Sequence, residues 1–168
     1  MRSTDVLLDL VDRLPELVRS AVADLDADQL REAPRDGANP VGWLAWHLAR
    51  QLDAQVADAA GHDQVLASDG WAARFGLPPD PADMGYGHTP EQVAAVRPES
   101  GEALVEYADA VVERVRGWVE RLDDGDLDRV VDEDWDPPVT LGVRLGSTVA
   151  DALQHAGQAA YVRGLLRR

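Results

Sequence analysis

Hydrophobic residues recur every three to four positions in four long stretches of the chain, which is the pattern of helices that bury one face. The predicted helices run from about Thr4 to Leu25, from Asn39-Pro40 to about Ala60, from Ser100 to about Leu122, and from near Thr140 to Leu166. No stretch alternates hydrophobic and polar residues for long enough to predict a convincing sheet. The pattern therefore predicts an all-α fold, a four-helix bundle.

Residues at the ends of these stretches are typical of helix boundaries. Asn39 can accept hydrogen bonds from free backbone amides, and Pro40, which has no amide hydrogen, suits the first helical position. Gly61 is expected to end the second helix, and Ser100 to cap the third. The fourth stretch contains Gly142, Gly146 and Gly157, which weaken the case for an unbroken helix there.

The second and third predicted helices are joined by a segment from Gly61 to Glu99 that is rich in Gly, Pro and Asp. It is too long for a tight bundle loop, and short helical turns are expected near His62–Leu66 and Trp71–Phe75. A crossover of this length would let the two helices lie parallel. We expect one domain over residues 1–168, which is long enough to bury its own core.

Composition excludes several classes of function. The chain has 31 acidic and 16 basic residues, a net charge of −15, so binding to nucleic acid or to a membrane is not expected. All the basic residues are Arg, and Lys, Ile and Cys are absent, which is typical of a GC-rich genome such as that of an actinobacterium. No signal-like N-terminus or bilayer-long apolar run occurs, so a cytoplasmic location is expected.

The missing residue types also limit the chemistry. Without Lys or Cys, the chain has no Schiff-base lysine, thiolate nucleophile or Cys-ligated zinc. It also lacks the motifs of serine-hydrolase elbows and of nucleotide-binding loops. Histidines, carboxylates and arginines remain for polar chemistry.

Polar residues lie on the inward face of the second predicted helix. At about 100° per residue, Gln51 and Gln55 fall inside its hydrophobic stripe and His47 falls at the edge. Burying a polar group without a partner costs about 1–3 kcal/mol. Three such residues on one face therefore indicate a polar cavity.

The fourth predicted helix has a matching face. Asp151 and His155 are four residues apart and Gln158 is three further on, so the three side chains share one side of the helix. Arg144 and Thr148 lie on the same stripe one to two turns earlier. This face points toward the interior of the predicted bundle.

A carboxylate and an imidazole four residues apart on a helix can both reach one metal ion. The alternative is a carboxylate that orients a core histidine. A further inward histidine, His47, favours a ligand set of His47, Asp151 and His155. Two imidazoles and one carboxylate with open positions suit Zn²⁺, Ni²⁺, Mn²⁺ or Fe²⁺, and a site with vacancies is typical of catalysis.

Residues 39–50 (NPVGWLAWHLAR) and 151–158 (DALQHAGQ) resemble the metal-binding helices of the DinB/YfiT-like superfamily. The nearest branch is the actinobacterial one related to mycothiol-dependent maleylpyruvate isomerase and other thiol S-transferases. The resemblance extends over the chain in helix order and in the long second connection. By the superfamily pattern, His47 and His155 take ligand positions, and Asp151 stands where a histidine is usual.

The resemblance implies a divalent-metal-dependent transferase or isomerase that uses mycothiol, or a similar small thiol, on a small electrophilic substrate. His47, Asp151 and His155 would hold the metal, Gln51 or Gln158 would support it, and Arg144 would meet a substrate carboxylate. The thiol cosubstrate would supply the sulfur that a chain without Cys lacks. Two alternatives stay open: a non-catalytic protein that binds a small ligand or metal, and a metal-dependent hydrolase.

Other polar and aromatic residues give weaker indications. His62 and His88 lie in loop-like sequence and are expected to be solvated, although Tyr86-Gly87-His88 could line the mouth of a pocket. Arg50, like Arg144, could receive an anionic substrate, but an ion pair with an acidic residue is the simpler interpretation. Exposed tryptophans on the second helix would be compatible with a homodimer.

Overall fold

The computed structural model describes residues 1–167 and is dominated by helices, which confirms the all-α prediction. The elements are α1 (Ser3–Val11), α2 (Leu14–Val22), α3 (Ala27–Arg31), α4 (Val41–Ala60), α5 (Trp71–Arg74), α6 (Pro90–Ala95), α7 (Gly101–Val119), β1 (Val130–Asp132), β2 (Val139–Thr140) and α8 (Leu141–Leu166). Two 3₁₀ turns lie at Val65–Ala67 and Asp126–Asp128, and β1 pairs antiparallel with β2. Within residues 1–167, no helix is both long enough and apolar enough to cross a membrane.

The three long helices begin and end close to the predicted positions. Ser100 caps α7, its hydroxyl oxygen accepting from the Ala103 amide at 3.1 Å. Gly61 ends α4 in a left-handed conformation, with φ of 69°. Helix α4 begins one residue later than predicted, with Pro40 as its N-cap. Helix α8 is continuous despite its glycines.

The prediction of one continuous first helix is wrong, because two separate helices, α1 and α2, occupy that stretch. Pro15 lies in the first turn of α2, and its ring would clash with the carbonyl group of Val11, four residues earlier, in a continuous helix. Val11 is the last residue of α1. Helix α3 was not predicted; Asp26 caps it by accepting from two backbone amides.

The α1–α2 pair and helices α4, α7 and α8 pack around a common core, with the most extensive contact between α4 and α8. His47 lies near Asp151, the Gln51 side chain bonds the backbone of Thr148, and Gln55 bonds Arg144. Residue numbers thus rise along α4 as they fall along α8, so the two helices are antiparallel. The relative direction of α4 and α7 stays a prediction.

Arg50 fastens the long crossover to α4. Its side chain is fully buried and donates to the carbonyl oxygens of Asp83, at 2.9 Å, and Pro81, at 2.8 Å, and to Gln64 Oε1, at 2.7 Å. A substrate cannot reach a guanidinium buried in this way. The interpretation of Arg50 as the partner of an acidic residue fits the structure better, since Arg50 Nη1 lies 3.7 Å from Asp53 Oδ2.

Asp53 fastens the start of the crossover from the same helix. Its carboxylate accepts from the backbone amides of Val65, at 2.8 Å, and Leu66, at 2.9 Å, and from the Tyr107 hydroxyl, at 2.9 Å. Burial, and secondarily the Asp53 charge, raise the pKa of Tyr107 well above its usual value, so the hydroxyl stays a donor. Together these contacts hold the crossover against α4 next to His47.

Candidate metal centre

Helices α4 and α8 bring His47, Asp151 and His155 together as a group that could hold a metal ion. Asp151 Oδ2 lies 3.9 Å from His47 Nε2, and Asp151 Oδ1 lies 3.6 Å from His155 Nε2. Two donors about 2.0–2.2 Å from one ion are at most about 4.4 Å apart, and both of these separations lie within that limit. The two imidazole rings are nearly perpendicular, with centroids 4.6 Å apart.

Both imidazoles use their other nitrogen to bond a carbonyl oxygen. His47 Nδ1 lies 2.6 Å from the Met84 carbonyl oxygen, and His155 Nδ1 lies 2.9 Å from Gln158 Oε1. An oxygen of this kind only accepts, so each Nδ1 carries a hydrogen, and in the neutral imidazole each Nε2 then has a free lone pair. Metal-ligating histidines in proteins are oriented in the same way.

The surroundings keep His47 neutral. Burial lowers the pKa of His47, and the nearby His155 lowers it further, while the bond to Met84 and the charge of Asp151 act in the opposite direction. A neutral imidazole is the form that binds metal. Asp151 is more open, with 45% of its side chain exposed, so the group can be reached from solvent.

A layer of aromatic and polar residues lies behind His47. Trp43 stacks on the His47 ring at 4.6 Å, and Trp43 Nε1 donates to His88 Nδ1 at 3.2 Å. His88 Nε2 in turn donates to Asp83 Oδ1 at 2.7 Å. The His88 side chain is only 6% exposed, so the expectation that it is solvated was wrong. A loop histidine has no periodic pattern from which its burial could be inferred.

Gly85 allows the loop before α6 to approach His47 closely. Its φ is +90°, a conformation that favours glycine. A Cβ atom at this position would lie 2.6 Å from His47 Nδ1 and 3.0 Å from the Trp46 ring. Sequence reasoning missed Gly85 and the Met84 carbonyl; the only local signal was the Gly-Tyr-Gly run around Tyr86.

A cavity of about 620 Å³ adjoins His47 and Asp151 along the α4–α8 groove. Gln51 lies on its wall, and its amide nitrogen donates to the Thr148 carbonyl oxygen at 2.9 Å. The other lining residues come from α4, the crossover, the hairpin formed by β1 and β2, and the start of α8. They are Gln55, Met84, Tyr86, Asp132, Trp135, Val139, Val143, Arg144, Ser147 and Thr148. Tyr86 therefore lies at the cavity, as considered from sequence, whereas His88 lies behind it.

Arg144 reaches the cavity with its guanidinium already engaged. It bonds Asp132 Oδ2 at 2.9 Å and Gln55 Oε1 at 2.8 Å, and it lies 3.3 Å from Asp58 Oδ2. Its charge is thus balanced by residues of the chain itself.

Two tryptophans of α4 are buried within the chain, Trp43 at 5% exposure and Trp46 at 0%. The expectation of exposed tryptophans on this helix was wrong. The homodimer stays a prediction, without the support of those side chains. His62, on the crossover, is half-buried, and its Nδ1 lies 3.0 Å from the Asp63 carbonyl oxygen.

Comparison with known proteins agrees with the helical fold. A crystal structure of a conserved protein from Enterococcus faecalis is 33% identical in sequence, covers 99% of this chain and 98% of its own, and has a TM-score of 0.90. No curated protein matches the chain. The profile of the DinB superfamily matches residues 10–159. The chain therefore belongs to the DinB superfamily.

Proposed function

We propose that this protein is a divalent-metal-dependent transferase that joins a low-molecular-weight thiol, such as mycothiol, to a small electrophilic substrate. The observation that carries the metal is an acceptor-only cluster. When both imidazoles are neutral, His47 Nε2, His155 Nε2 and the Asp151 carboxylate face one another with no hydrogen between them, since each ring hydrogen is on Nδ1. Such a cluster is stabilised when a cation fills it.

The donor set fits a divalent cation such as Zn²⁺, Ni²⁺, Mn²⁺ or Fe²⁺. Met84 and Gln158 would keep the two imidazoles oriented, and Asp151 would contribute one negative charge. Three protein ligands leave positions for a second molecule. The DinB superfamily is metal-binding in general, which supports the same conclusion.

A divalent cation held there would lower the pKa of a thiol, which makes the thiol a nucleophile near neutral pH. The chain has no Cys, so the sulfur must come from another molecule. The choice of mycothiol is supported by the resemblance of the two ligand helices to the mycothiol-dependent branch. The cavity beside His47 and Asp151 gives the small-molecule substrate room next to the donors.

Three predicted supporting residues would have different roles in this proposal. Gln158 would orient His155, because its Oε1 accepts from His155 Nδ1. Gln51 would hold α4 and α8 together beside the donors, through its bond to the Thr148 carbonyl. Arg144 would fasten the hairpin to the bundle through Asp132.

Elemental analysis of the purified protein and thermal unfolding with added Zn²⁺, Ni²⁺, Mn²⁺ or Fe²⁺ test the metal. We expect bound metal and a rise in Tm, both lost in His155→Ala and kept in His62→Ala, a histidine outside the donor group. Consumption of mycothiol with 1-chloro-2,4-dinitrobenzene then tests the reaction and should need the metal.

The outcomes separate the alternatives. Absence of bound metal, with no metal-dependent change in Tm, would contradict the metal site. Metal binding without thiol consumption would identify a non-catalytic metal-binding protein. Metal-dependent turnover of an ester or amide without added thiol would identify a hydrolase.

A further inference from the structure

The cavity has two ends that differ in chemistry. His47, Gln51 and Gln55 line it on successive turns of α4, and eight residues of helix span about 12 Å. Asp151 lies opposite His47 at one end, and Arg144 bonds Gln55 at the other. The donor group therefore occupies one end, and the far end is about 12 Å away beside Arg144.

Among residues 1–167, the far end offers no free positive charge to an anion. Arg144 contributes +1, and its two partners, Asp58 and Asp132, contribute −1 each, which leaves a formal charge of −1. Only 14% of the Arg144 side chain is exposed. A carboxylate entering here would meet two existing carboxylates that already occupy the guanidinium.

The walls near the far end are apolar. Val143 precedes Arg144 on α8, and Val139 pairs with Asp132 in the hairpin, and both line the cavity. Trp135, in the loop of the same hairpin, and Tyr86 line it as well. Trp135 is 67% exposed and Val143 is 59% exposed, and exposed apolar side chains gathered on one cleft mark a site for a ligand or partner. Of the eight exposed large hydrophobic residues within the described chain, three lie on this one cavity: Tyr86, Trp135 and Val143.

The exposed loop that carries Trp135 adds further negative charge beside the cavity. Glu133, Asp134 and Asp136 flank Trp135 in sequence, and all three are exposed. Charges of one sign around a cleft repel ligands of that sign. This loop and the far end therefore disfavour the same class of molecule, namely anions.

We propose that the far end receives an uncharged apolar group, such as an aromatic ring, and rejects carboxylates. This inference rests on the proposed function for the reaction, and it deepens that proposal by assigning the class of electrophile. The substrate would place its reacting carbon toward Asp151 and its apolar part between Trp135 and Val143.

Fluorine NMR titration of the full chain with 4-fluorobenzamide and 4-fluorobenzoate tests the selectivity. The two probes have nearly the same shape and differ in charge. A chelator is added, because a cation at the donor group would attract benzoate independently of the far end. We expect the amide to bind at least tenfold more tightly than the benzoate.

Two variants test where the selectivity arises. Trp135→Ala should weaken amide binding at least fivefold, whereas Tyr161→Ala, an exposed aromatic on α8 outside the cavity, should leave it unchanged. The double variant Asp58→Asn with Asp132→Asn changes the far-end charge from −1 to +1. It should raise the ratio of benzoate affinity to amide affinity at least fivefold.

Equal or tighter binding of benzoate by the unaltered chain would overturn the inference. So would amide binding that is insensitive to Trp135→Ala, or no detectable amide binding at all. None of these results depends on metal or thiol. A failure here is therefore distinguishable from a failure of the proposed reaction, which would appear as absent metal or absent thiol consumption.

Discussion

Gly85 sets the distance between the crossover and the His47 ring, so replacing it with alanine tests how the candidate metal centre is built. The added Cβ would lie 2.6 Å from His47 Nδ1, where ordinary contact needs at least 3.4 Å. The loop or the ring must therefore shift by about 0.8 Å, the difference between these distances. The same Nδ1 makes the 2.6 Å bond to the Met84 carbonyl, which such a shift would break.

Gly87→Ala is a matched control two residues away. The φ of Gly87 is +72° and an added Cβ would meet nothing within 4 Å. Alanine at this position therefore introduces backbone strain without a steric clash. That strain costs about 1–2 kcal/mol. Overpacking adds about 1–3 kcal/mol at Gly85 alone. We therefore expect losses of about 2–5 kcal/mol for Gly85→Ala and about 1–2 kcal/mol for Gly87→Ala.

Metal affinity is the more specific measurement. Loss of the carbonyl partner that orients a metal-ligating histidine lowers affinity about 10–100-fold. We expect this loss in Gly85→Ala and a change of less than about twofold in Gly87→Ala, because only the first displaces His47. Urea unfolding with a chelator gives the stability, and competition with a chromogenic chelator gives the affinity. Equal metal affinities in the two variants would refute the reasoning.

Three further predictions follow from named contacts. In the metal-free protein, burial lowers the pKa of His47. The contribution of the neutral His47 side chain to the unfolding free energy is therefore full above about pH 6.5 and is lost as the pH falls through the pKa of His47 in the folded protein. Urea unfolding between pH 5 and 7.5 measures this loss. Asp53→Ala should cost about 3–5 kcal/mol in urea unfolding, because it leaves Arg50 buried without its carboxylate. Gln158→Leu should lower metal affinity on the order of tenfold in chelator competition, because His155 Nδ1 loses its acceptor.

Each of these has a result that would contradict it. The pH slope should be shallower in His47→Gln, and an identical slope would exclude His47 as its source. A loss below about 1 kcal/mol in Asp53→Ala would mean that water replaces the carboxylate. A Gln158→Leu protein with unchanged metal affinity would show that the amide does not orient His155; its unfolding free energy should change little, since Gln158 is exposed.

Much of the fold follows from local sequence. The cap at Ser100 and the stop at Gly61 were predictable because such residues satisfy or release the backbone over one turn. The break at Pro15 carried an equally local signal, which the continuous hydrophobic spacing outweighed in the prediction. Helix α3 was missed because one turn of helix is too short to show a period.

The candidate site was likewise predictable from the sequence only in part. That Asp151 and His155 share a face is a property of four-residue spacing on a helix, so the sequence alone determined it. The pairing of that face with His47 followed from a predicted bundle and from family resemblance. The group that orients His47 is the carbonyl oxygen of Met84. It is a backbone atom, which every residue has, so the sequence could not identify it.

The tertiary structure alone decided what surrounds the donors. Periodicity determines which side of a helix faces inward, because it depends only on residues within a few turns. It does not determine which distant backbone packs there, because that depends on contacts between residues far apart in the chain. The sequence therefore determined the helices and the candidate donors, whereas long-range packing decided that Gly85 touches His47, that His88 is buried and that Arg144 is neutralised by Asp132.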